Sequence, residues 1–398
     1  MSQAPRVFVS ASASEPFAAA PLSRLLEPLR AATFEGGFLP GINSFDWSRL
    51  SPDARMAGPF MSPAWRETAA AGRFEKLALT YNGFARRVAA TRYAAGLFML
   101  SPPDANGLCS FGVTTDFAPT ALERCAVKIA VINPSMPRLA GAPTAPIGLF
   151  DEVIELDTPL VEYAVRPPGP LETRIIAHVA ALIPDGAAVQ SGLGRLGDAL
   201  WSGLAGKTGL SIHSGMICDP VADLIEQGVF NRVTVGSFLG SRAFYARAAG
   251  LRGVVMATAL ETHDVERLAA IPNFVAVNSA IEVDLLGQVN AEWVDGQAIS
   301  GAGGLPDFIR GAQRSRGGLP IIALGSSAKG GAISRIVPRL TVPPTLPASD
   351  IGLVVTEHGA ADLRGLEGEA RAMALIAIAA PDHRAALLQA WRSGAPLA

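Results

Sequence analysis

Short apolar runs recur along the whole chain, each bounded by turn residues and separated from the next by a segment of helical periodicity. Continuous apolar strands are typical of parallel sheets that are covered by helices on both faces. The pattern therefore predicts an α/β fold with mostly parallel sheets. The predicted strands are Arg6–Ser10, Leu97–Leu100, Val127–Ile132, Val189–Ser191, Leu210–His213, Val233–Ser237, Val254–Ala259, Phe274–Asn278, Ile321–Leu324 and Leu353–Thr356. The predicted helices are Leu22–Ala32, Leu171–Leu182, Pro220–Gln227, Glu369–Ala379 and His383–Trp391.

A proline-rich segment near the middle of the chain, Gly141–Pro170, divides this pattern into two halves. It ends in Arg166-Pro167-Pro168-Gly169-Pro170, and three prolines in five residues cannot lie inside a helix or a central strand. A chain of 398 residues is long enough for two domains. We therefore predict an N-terminal α/β domain over residues 1–170 and a C-terminal α/β domain over residues 171–398.

Composition excludes several classes of function. A net charge of -2 gives no reason to expect a nucleic-acid or membrane partner, and no run approaches the length that crosses a bilayer. The three cysteines, Cys109, Cys125 and Cys218, are widely spaced, which argues for a reducing compartment. The five histidines are scattered, so no metal is expected. The N-terminus lacks the apolar core of a signal peptide, and we expect a cytoplasmic protein.

Three glycine-containing loops are candidates for binding an anion. Gly192-Leu193-Gly194 precedes an amphipathic run, and Gly303 and Gly304 end a cluster of three glycines in four residues. Glycine lets a backbone come close to a ligand and leaves N–H groups free for an anion. Lys329 follows an apolar strand and two serines. Each loop also has a purely structural interpretation. Gly192-Leu193-Gly194 could be an ordinary tight turn, the Gly303-Gly304 cluster a flexible surface loop, and the segment around Lys329 a solvated loop.

Acid–base chemistry has three candidate residues. Glu282 lies just beyond the predicted strand Phe274–Asn278, and Glu357 follows Leu353–Thr356 at its carboxyl end, where α/β folds usually bind ligands. His213 could orient a substrate or a water molecule. Structural roles, an ion pair or a packed histidine, fit these residues equally well.

Several ordered segments together resemble the acetyl-CoA hydrolase/CoA-transferase family, which includes 4-hydroxybutyrate and acetate CoA-transferases. The resemblance covers most of the chain, from Leu97 to Trp391, and the segments that carry it are Ser101–Gly112, Asn278–Glu292, Ser300–Gly318, Ser334–Pro338 and, most specifically, Val354–Gly365. The resemblance implies two CoA-transferase-like domains with an acyl-CoA thioester at their junction.

The resemblance also assigns binding roles. It implies that the loop Gly192, Leu193, Gly194, Arg195 and Leu196 contacts coenzyme A, so that the C-terminal domain carries the CoA site. Gly303, Gly304 and Lys329 would complete the CoA and oxyanion environment. The expected partner is a small-molecule acyl-CoA, and a homodimer is left open.

One departure from the family bears directly on the reaction. Members carry a nucleophilic glutamate just before the methionine of the segment that matches Ile212–Met216, and this glutamate forms a glutamyl-CoA thioester. Here the matching residue is Gly215, which has no side chain. Ping-pong CoA transfer through this position is therefore excluded.

Three hypotheses follow from this departure. The first is a hydrolytic enzyme that cleaves the thioester, or a C–C bond beside a β-ketone, with His213, Glu282 or Glu357 as the base. The second is CoA transfer through another carboxylate, Glu282 or Asp219. The third is a non-catalytic acyl-CoA-binding protein. If only the nucleophile was lost, Gly215→Glu is expected to restore transfer.

Overall fold

The computed structural model describes residues 4–16 and 26–394 and contains two large sheets. Within these residues, the first sheet has seven strands, all parallel to their neighbours. In spatial order they are Phe74–Lys76, Arg55–Gly58, Thr33–Glu35, Arg6–Val9, Tyr93–Leu100, Cys125–Ile132 and Glu152–Glu155. The sheet belongs entirely to the predicted N-terminal domain.

The second sheet belongs to the C-terminal half and has eight strands among the described residues. Seven run parallel, and the last joins its neighbour as an antiparallel hairpin. In spatial order they are Val254–Met256, Phe230–Phe238, Leu210–Ile217, Ala188–Ser191, Phe274–Ser279, Leu319–Ala323, Leu353–Thr356 and Gly359–Asp362. The prediction of an α/β fold with mostly parallel sheets is confirmed.

Helices and small sheets make up the other regular structure of the described residues. The α-helices are Arg66–Ala70, Tyr81–Ala90, Ala118–Leu122, Pro170–Leu182, Arg195–Gly203, Pro220–Glu226, Arg242–Ala248, Ala259–Thr262, Val265–Ala269, Leu305–Arg314, Gly368–Ala377 and Pro381–Arg392. A three-stranded sheet joins Val289–Asn290, Glu282–Asp284 and Ile336–Val337. Two-stranded pairs join Trp293–Val294 with Gln297–Ala298, Ser327–Ala328 with Ile333–Ser334, and Leu108–Ser110 with Thr144–Pro146. None of the helices described is long and apolar enough to cross a membrane.

Two predicted elements differ from the structure. The strand predicted over Val254–Ala259 ends at Met256, because Thr258 starts a helix with a capping box that also involves Glu261. Residues 22–25 of the predicted helix Leu22–Ala32 lie outside the described residues. The remainder of that segment contains only the single 3-10 turn Glu27–Leu29 before a strand begins at Thr33.

The segment between the two sheets matches the proline argument. Residues 156–169, all of them described, form neither helix nor strand, and Pro170 is the first residue of the helix Pro170–Leu182. Proline suits this position because the first helical N–H has no partner within the helix. The division into domains at residue 170 stays a prediction that is compatible with this arrangement.

The two halves meet through buried hydrogen bonds. The hydroxyl of Thr115 lies 3.0 Å from the carbonyl oxygens of both Gly236 and Ala257, and its N–H donates to Gly236 at 2.8 Å. The N–H of Asn82 donates to the carboxylate of Asp307 at 3.0 Å. These contacts join a loop and a helix of the first half to a strand and a helix of the second half.

Candidate active site between the two sheets

A cavity of about 290 Å³ lies where the two halves meet. Its walls come from both of them, and its size is at the lower end of the range of ligand pockets. The first half contributes Leu39, Pro40, Phe60, Tyr81 and Asp116. The second half contributes residues at the carboxyl ends of parallel strands, where α/β sheets bind ligands, together with the loop Ser300–Gly304.

The first glycine loop lies on the wall of this cavity. Gly192 and Leu193 line it directly, just after the strand Ala188–Ser191. The following helix, Arg195–Gly203, packs closely against the loop, since a Cβ on Gly197 would lie 1.8 Å from the carbonyl oxygen of Gly192. Only glycine permits this contact, so the helix fixes the position of the loop.

The second glycine cluster brings a helix terminus to the cavity. Gly303 and Gly304 line it and lead into the helix Leu305–Arg314. A Cβ on Gly301 would lie 2.0 Å from the carbonyl oxygen of Pro59, so this loop packs directly on the backbone of the first half. The first N–H groups of a helix have no partners within it, and they favour an anion. The cluster can therefore stabilise an oxyanion.

His263 occupies the space beside Gly215. A Cβ on Gly215 would lie 2.8 Å from Cε1 and 2.9 Å from Nε2 of His263. A Cβ on Gly304 would lie 2.6 Å from both Cδ2 and Nε2 of the same ring. The imidazole edge that carries Nε2 is therefore held between two glycines, and a side chain at position 215 would collide with it.

The surroundings of His263 keep its imidazole in place. Its ring centroid lies 4.4 Å from those of both Tyr81 and Phe308, and only 3% of the residue is exposed. Nδ1 lies 2.8 Å from the hydroxyl oxygen of Thr262. Burial, and secondarily the nearby His213, lowers the pKa of His263 to about 3. The ring is therefore neutral at neutral pH.

Asp116 is the carboxylate of the cavity wall. It is buried, and the hydroxyl of Ser237 donates a hydrogen bond to it. Burial raises the pKa of Asp116 to about 6, against the effect of this hydrogen bond. Burial and then the nearness of Asp116 raise the pKa of Tyr81 well above its usual value. Asp116, Tyr81 and His263 thus form a group of ionisable side chains at the cavity.

The structure brings together only some of the residues predicted from the sequence. Gly192, Leu193, Gly215, Gly303 and Gly304 all line the cavity. Gly194 caps the helix Arg195–Gly203, Arg195 forms an ion pair with Glu172 at 3.0 Å, and Leu196 packs against the core of the second half. Lys329 is exposed in a separate loop, outside the cavity wall.

The three predicted bases lie outside the cavity wall. His213 precedes Gly215 by two residues in the strand, and its ring packs near Phe274 and the backbone of Glu261 and Thr262. Burial lowers the pKa of His213. His213 therefore contacts the helix residues that immediately precede His263 and helps to hold them in place.

The two predicted carboxylate bases have partners of their own. Glu282 accepts a hydrogen bond from Asn290 at 3.1 Å. Glu357 accepts two from Ser326, at 2.9 and 2.8 Å. Burial alone would raise the pKa of Glu357, but these hydrogen bonds hold it below its usual value. Both carboxylates therefore bind neighbouring residues outside the cavity wall.

Sequence reasoning overlooked His263, Asp116, Tyr81 and Phe308. His263 could have been found because it follows the strand Val254–Met256 by a few residues. Residues after the carboxyl end of a parallel strand are candidates for ligand binding, and the same rule selected Glu357. Asp116 follows a segment that had been recognised only for its resemblance, Ser101–Gly112. Among the residues described, no group of His, Cys, Asp or Glu side chains is arranged to hold a metal ion.

Solved structures with the same architecture define the class of fold. RipA from Yersinia pestis matches with a TM-score of 0.88 and 28% identity over 99% of this chain and 94% of that one. A 4-hydroxybutyrate CoA-transferase from Porphyromonas gingivalis matches with a TM-score of 0.78 and 28% identity, over 98% and 93% of the two chains. The fold is therefore CoA-transferase-like.

Sequence relatives place the chain within this class. Residues 240–391 match the model of the acetyl-CoA hydrolase/transferase C-terminal domain. The 4-hydroxybutyrate coenzyme A transferase of Clostridium kluyveri is 37% identical over 315 residues, which span 74% of this chain and 72% of that protein. The chain belongs to the acetyl-CoA hydrolase/transferase family, and the resemblance inferred from the sequence is confirmed.

Proposed function

We propose that the protein hydrolyses an acyl-CoA thioester in the cavity between the two sheets. The observation that carries this proposal is the placement of His263 against Gly215. Gly215 has no side chain that could act as a nucleophile, and an imidazole lies beside it. Water is then the nucleophile that the site can accommodate, and its attack on a thioester gives hydrolysis.

The cavity suits the thioester in two further respects. Gly192 and Leu193 form a backbone wall on one side, and the start of the helix Leu305–Arg314 lies on the other. Free N–H groups at a helix terminus stabilise the negative charge that develops on a carbonyl oxygen during attack. We infer that the acyl carbonyl lies near Gly304, with the coenzyme running past Gly192.

CoA transfer through a different carboxylate is the second candidate. Of the residues described, Asp116 is the one carboxylate that lines the cavity, whereas Glu282 and Asp219 lie outside it. Asp116 would have to act as a nucleophile from a buried position where burial raises its pKa to about 6. Its carboxylate would attack the thioester, form a mixed anhydride and release the CoA thiolate, which would then attack the aspartyl carbonyl and expel the first acid, leaving an aspartyl-CoA thioester. An acceptor carboxylate would attack that thioester and release the thiolate again, and the thiolate would take the new acyl group and free Asp116.

Mass-spectrometric analysis of purified protein with a panel of acyl-CoAs and acetate tests the proposal. The panel includes short-chain, cyclic and β-keto acyl-CoAs, and hydrolysis is expected to release free CoA together with an intact acid. Acetyl-CoA formed from another acyl-CoA would instead establish transfer, and a shortened acyl chain would establish C–C cleavage. An unchanged panel, with CoA thioesters still bound, would replace the proposal by a binding function.

A further inference from the structure

We propose that His263 is the catalytic base of this site, with Nε2 taking a proton from the water molecule that attacks the thioester. The inference rests on the hydrolytic function proposed above and names the group that performs it. His263 thus takes the role of base for which the sequence had suggested His213, Glu282 and Glu357.

The position of Nε2 supports this role. His263 lines the cavity, and Nε2 is the ring atom that approaches both Gly215 and Gly304. A water molecule bonded to Nε2 would therefore lie next to the start of the helix Leu305–Arg314. The base, Nε2, and the N–H groups that would stabilise the oxyanion then lie next to each other in one cavity. Attack of water on a carbonyl requires both groups close to the reacting carbon.

Thr262 sets the tautomer of the imidazole. Its hydroxyl donates to the carbonyl oxygen of Thr258 at 3.2 Å and lies 2.8 Å from Nδ1 of His263. A hydroxyl has one hydrogen, so when that hydrogen goes to Thr258, the oxygen accepts from an Nδ1–H group. The remaining nitrogen, Nε2, then carries a lone pair on the ring edge that lies beside Gly215 and Gly304, two residues of the cavity wall. Thr262 is a positioning residue in this arrangement.

A general base also needs a fixed orientation, and packing holds the imidazole ring of His263 in place. Tyr81 and Phe308 contact the ring with centroid distances of 4.4 Å on each side. His263 is 3% exposed and Thr262 is fully buried. Burial lowers the pKa of His263 to about 3, so the imidazole is unprotonated at neutral pH but is a weak base, and it returns a captured proton readily.

The step balances without a further reactant. The water oxygen forms a bond to the thioester carbon, its proton moves to Nε2, and the carbonyl π electrons move to the oxygen. The resulting oxyanion is stabilised by N–H groups near Gly304. On collapse the carbon–sulfur bond breaks, and Nε2 returns its proton to the sulfur. The products are the carboxylic acid, which ionises, and the thiol of coenzyme A.

Substitution of His263 by glutamine tests the assignment, because glutamine keeps polarity and similar size and cannot act as a base. Release of CoA from an acyl-CoA that the wild-type protein hydrolyses is followed with a thiol reagent. We expect kcat to fall by roughly 10–10²-fold, because a base of low pKa contributes less than one whose pKa matches the working pH. The dissociation constant of a non-hydrolysable CoA thioether is expected to change less than about 3-fold, since the coenzyme contacts remain.

Thr262 provides a matched pair of variants. Thr262→Val removes the hydroxyl, whereas Thr262→Ser retains it. The chain has five histidines, so the ring nitrogens of His263 can be assigned in a long-range ¹H–¹⁵N spectrum by comparison with H263Q. We expect Nδ1–H in the wild-type and serine proteins, and a mixture of tautomers with lower kcat in the valine protein.

The outcomes separate this inference from the proposed function. A wild-type protein that releases no CoA from any member of the panel overturns the hydrolytic function and the base role with it. An active wild-type protein whose H263Q variant is equally active overturns the base role alone. Detection of an acyl group on His263 in the intact-protein mass spectrum would also overturn it, because the imidazole would then be a nucleophile.

Discussion

At the scale of single residues, the proposed chemistry depends on the pair Gly215 and His263. A glutamate placed at this position by Gly215→Glu is expected to permit transfer if the space beside Gly215 is empty. The structure predicts otherwise, because the new Cβ would lie 2.8–2.9 Å from an imidazole that Tyr81 and Phe308 hold in place. We expect G215E to show no CoA transfer and to lose roughly 1–3 kcal/mol of unfolding free energy.

Gly206→Glu is the matched control for this substitution. Gly206 is exposed, and a Cβ there would meet no heavy atom within 4 Å. Acyl-CoA:acetate exchange and urea unfolding are measured for both variants. The prediction is wrong if G215E catalyses exchange and is as stable as G206E. That result would show that the His263 ring moves aside at little cost in free energy and leaves space for a side chain at position 215.

At the scale of elements, the helix Arg195–Gly203 determines the shape of the loop that contacts the cavity. A Cβ on Gly197 would lie 1.8 Å from the carbonyl oxygen of Gly192, and backbone atoms cannot yield as a flexible side chain would. Gly197→Ala is therefore expected to displace the loop and to weaken binding of a CoA thioether by about 10-fold or more, corresponding to roughly 1.4 kcal/mol. Calorimetric titration measures the affinity.

Gly206→Ala controls for the general effect of adding a methyl group to a glycine in this part of the chain. It is expected to bind the thioether as the wild-type protein does. Circular dichroism at the temperature of the titration verifies that both variants are folded. Unchanged affinity in a folded G197A protein would mean that the Gly192 loop does not contact the coenzyme.

At the scale of the whole molecule, the proposed activity depends on how the two halves meet, since each supplies part of the cavity wall. Thr115 bonds the first half to the carbonyls of Gly236 and Ala257, and its side chain is fully buried. Thr115→Val leaves these carbonyls with fewer donors, so we expect a loss of roughly 1–3 kcal/mol in unfolding free energy. The rate of CoA release is expected to fall as well.

Thr115→Ser retains the hydroxyl and serves as the comparison. It is expected to unfold in urea close to the wild-type midpoint and to keep most of the activity. Equal stability of the valine and serine variants would indicate that the hydroxyl contributes little to the junction. Reduced stability of T115V with full activity would show that the cavity does not depend on this contact.

The sequence alone determined the class of fold, the glycine loops, and the positions of seven of the eight strands in the second large sheet but only three of the seven in the first. These features are local, because apolar runs, turn residues and glycine clusters are read within windows of a few residues. The strand rule also named His213, Glu282 and Glu357, but it does not state toward which side a residue at a strand end points. Their partners in the structure are Glu261 and Thr262, Asn290 and Ser326.

Only the tertiary structure decided which residues share the cavity. His263 reaches Gly215 because the strand Leu210–Ile217 and the loop after Val254–Met256 end at the same edge of the sheet, and Asp116 and Tyr81 arrive from the other half of the chain. The tautomer of His263 depends in turn on the hydrogen-bond chain through Thr262. Such contacts join residues that are distant in sequence, and no local pattern encodes the distances between them.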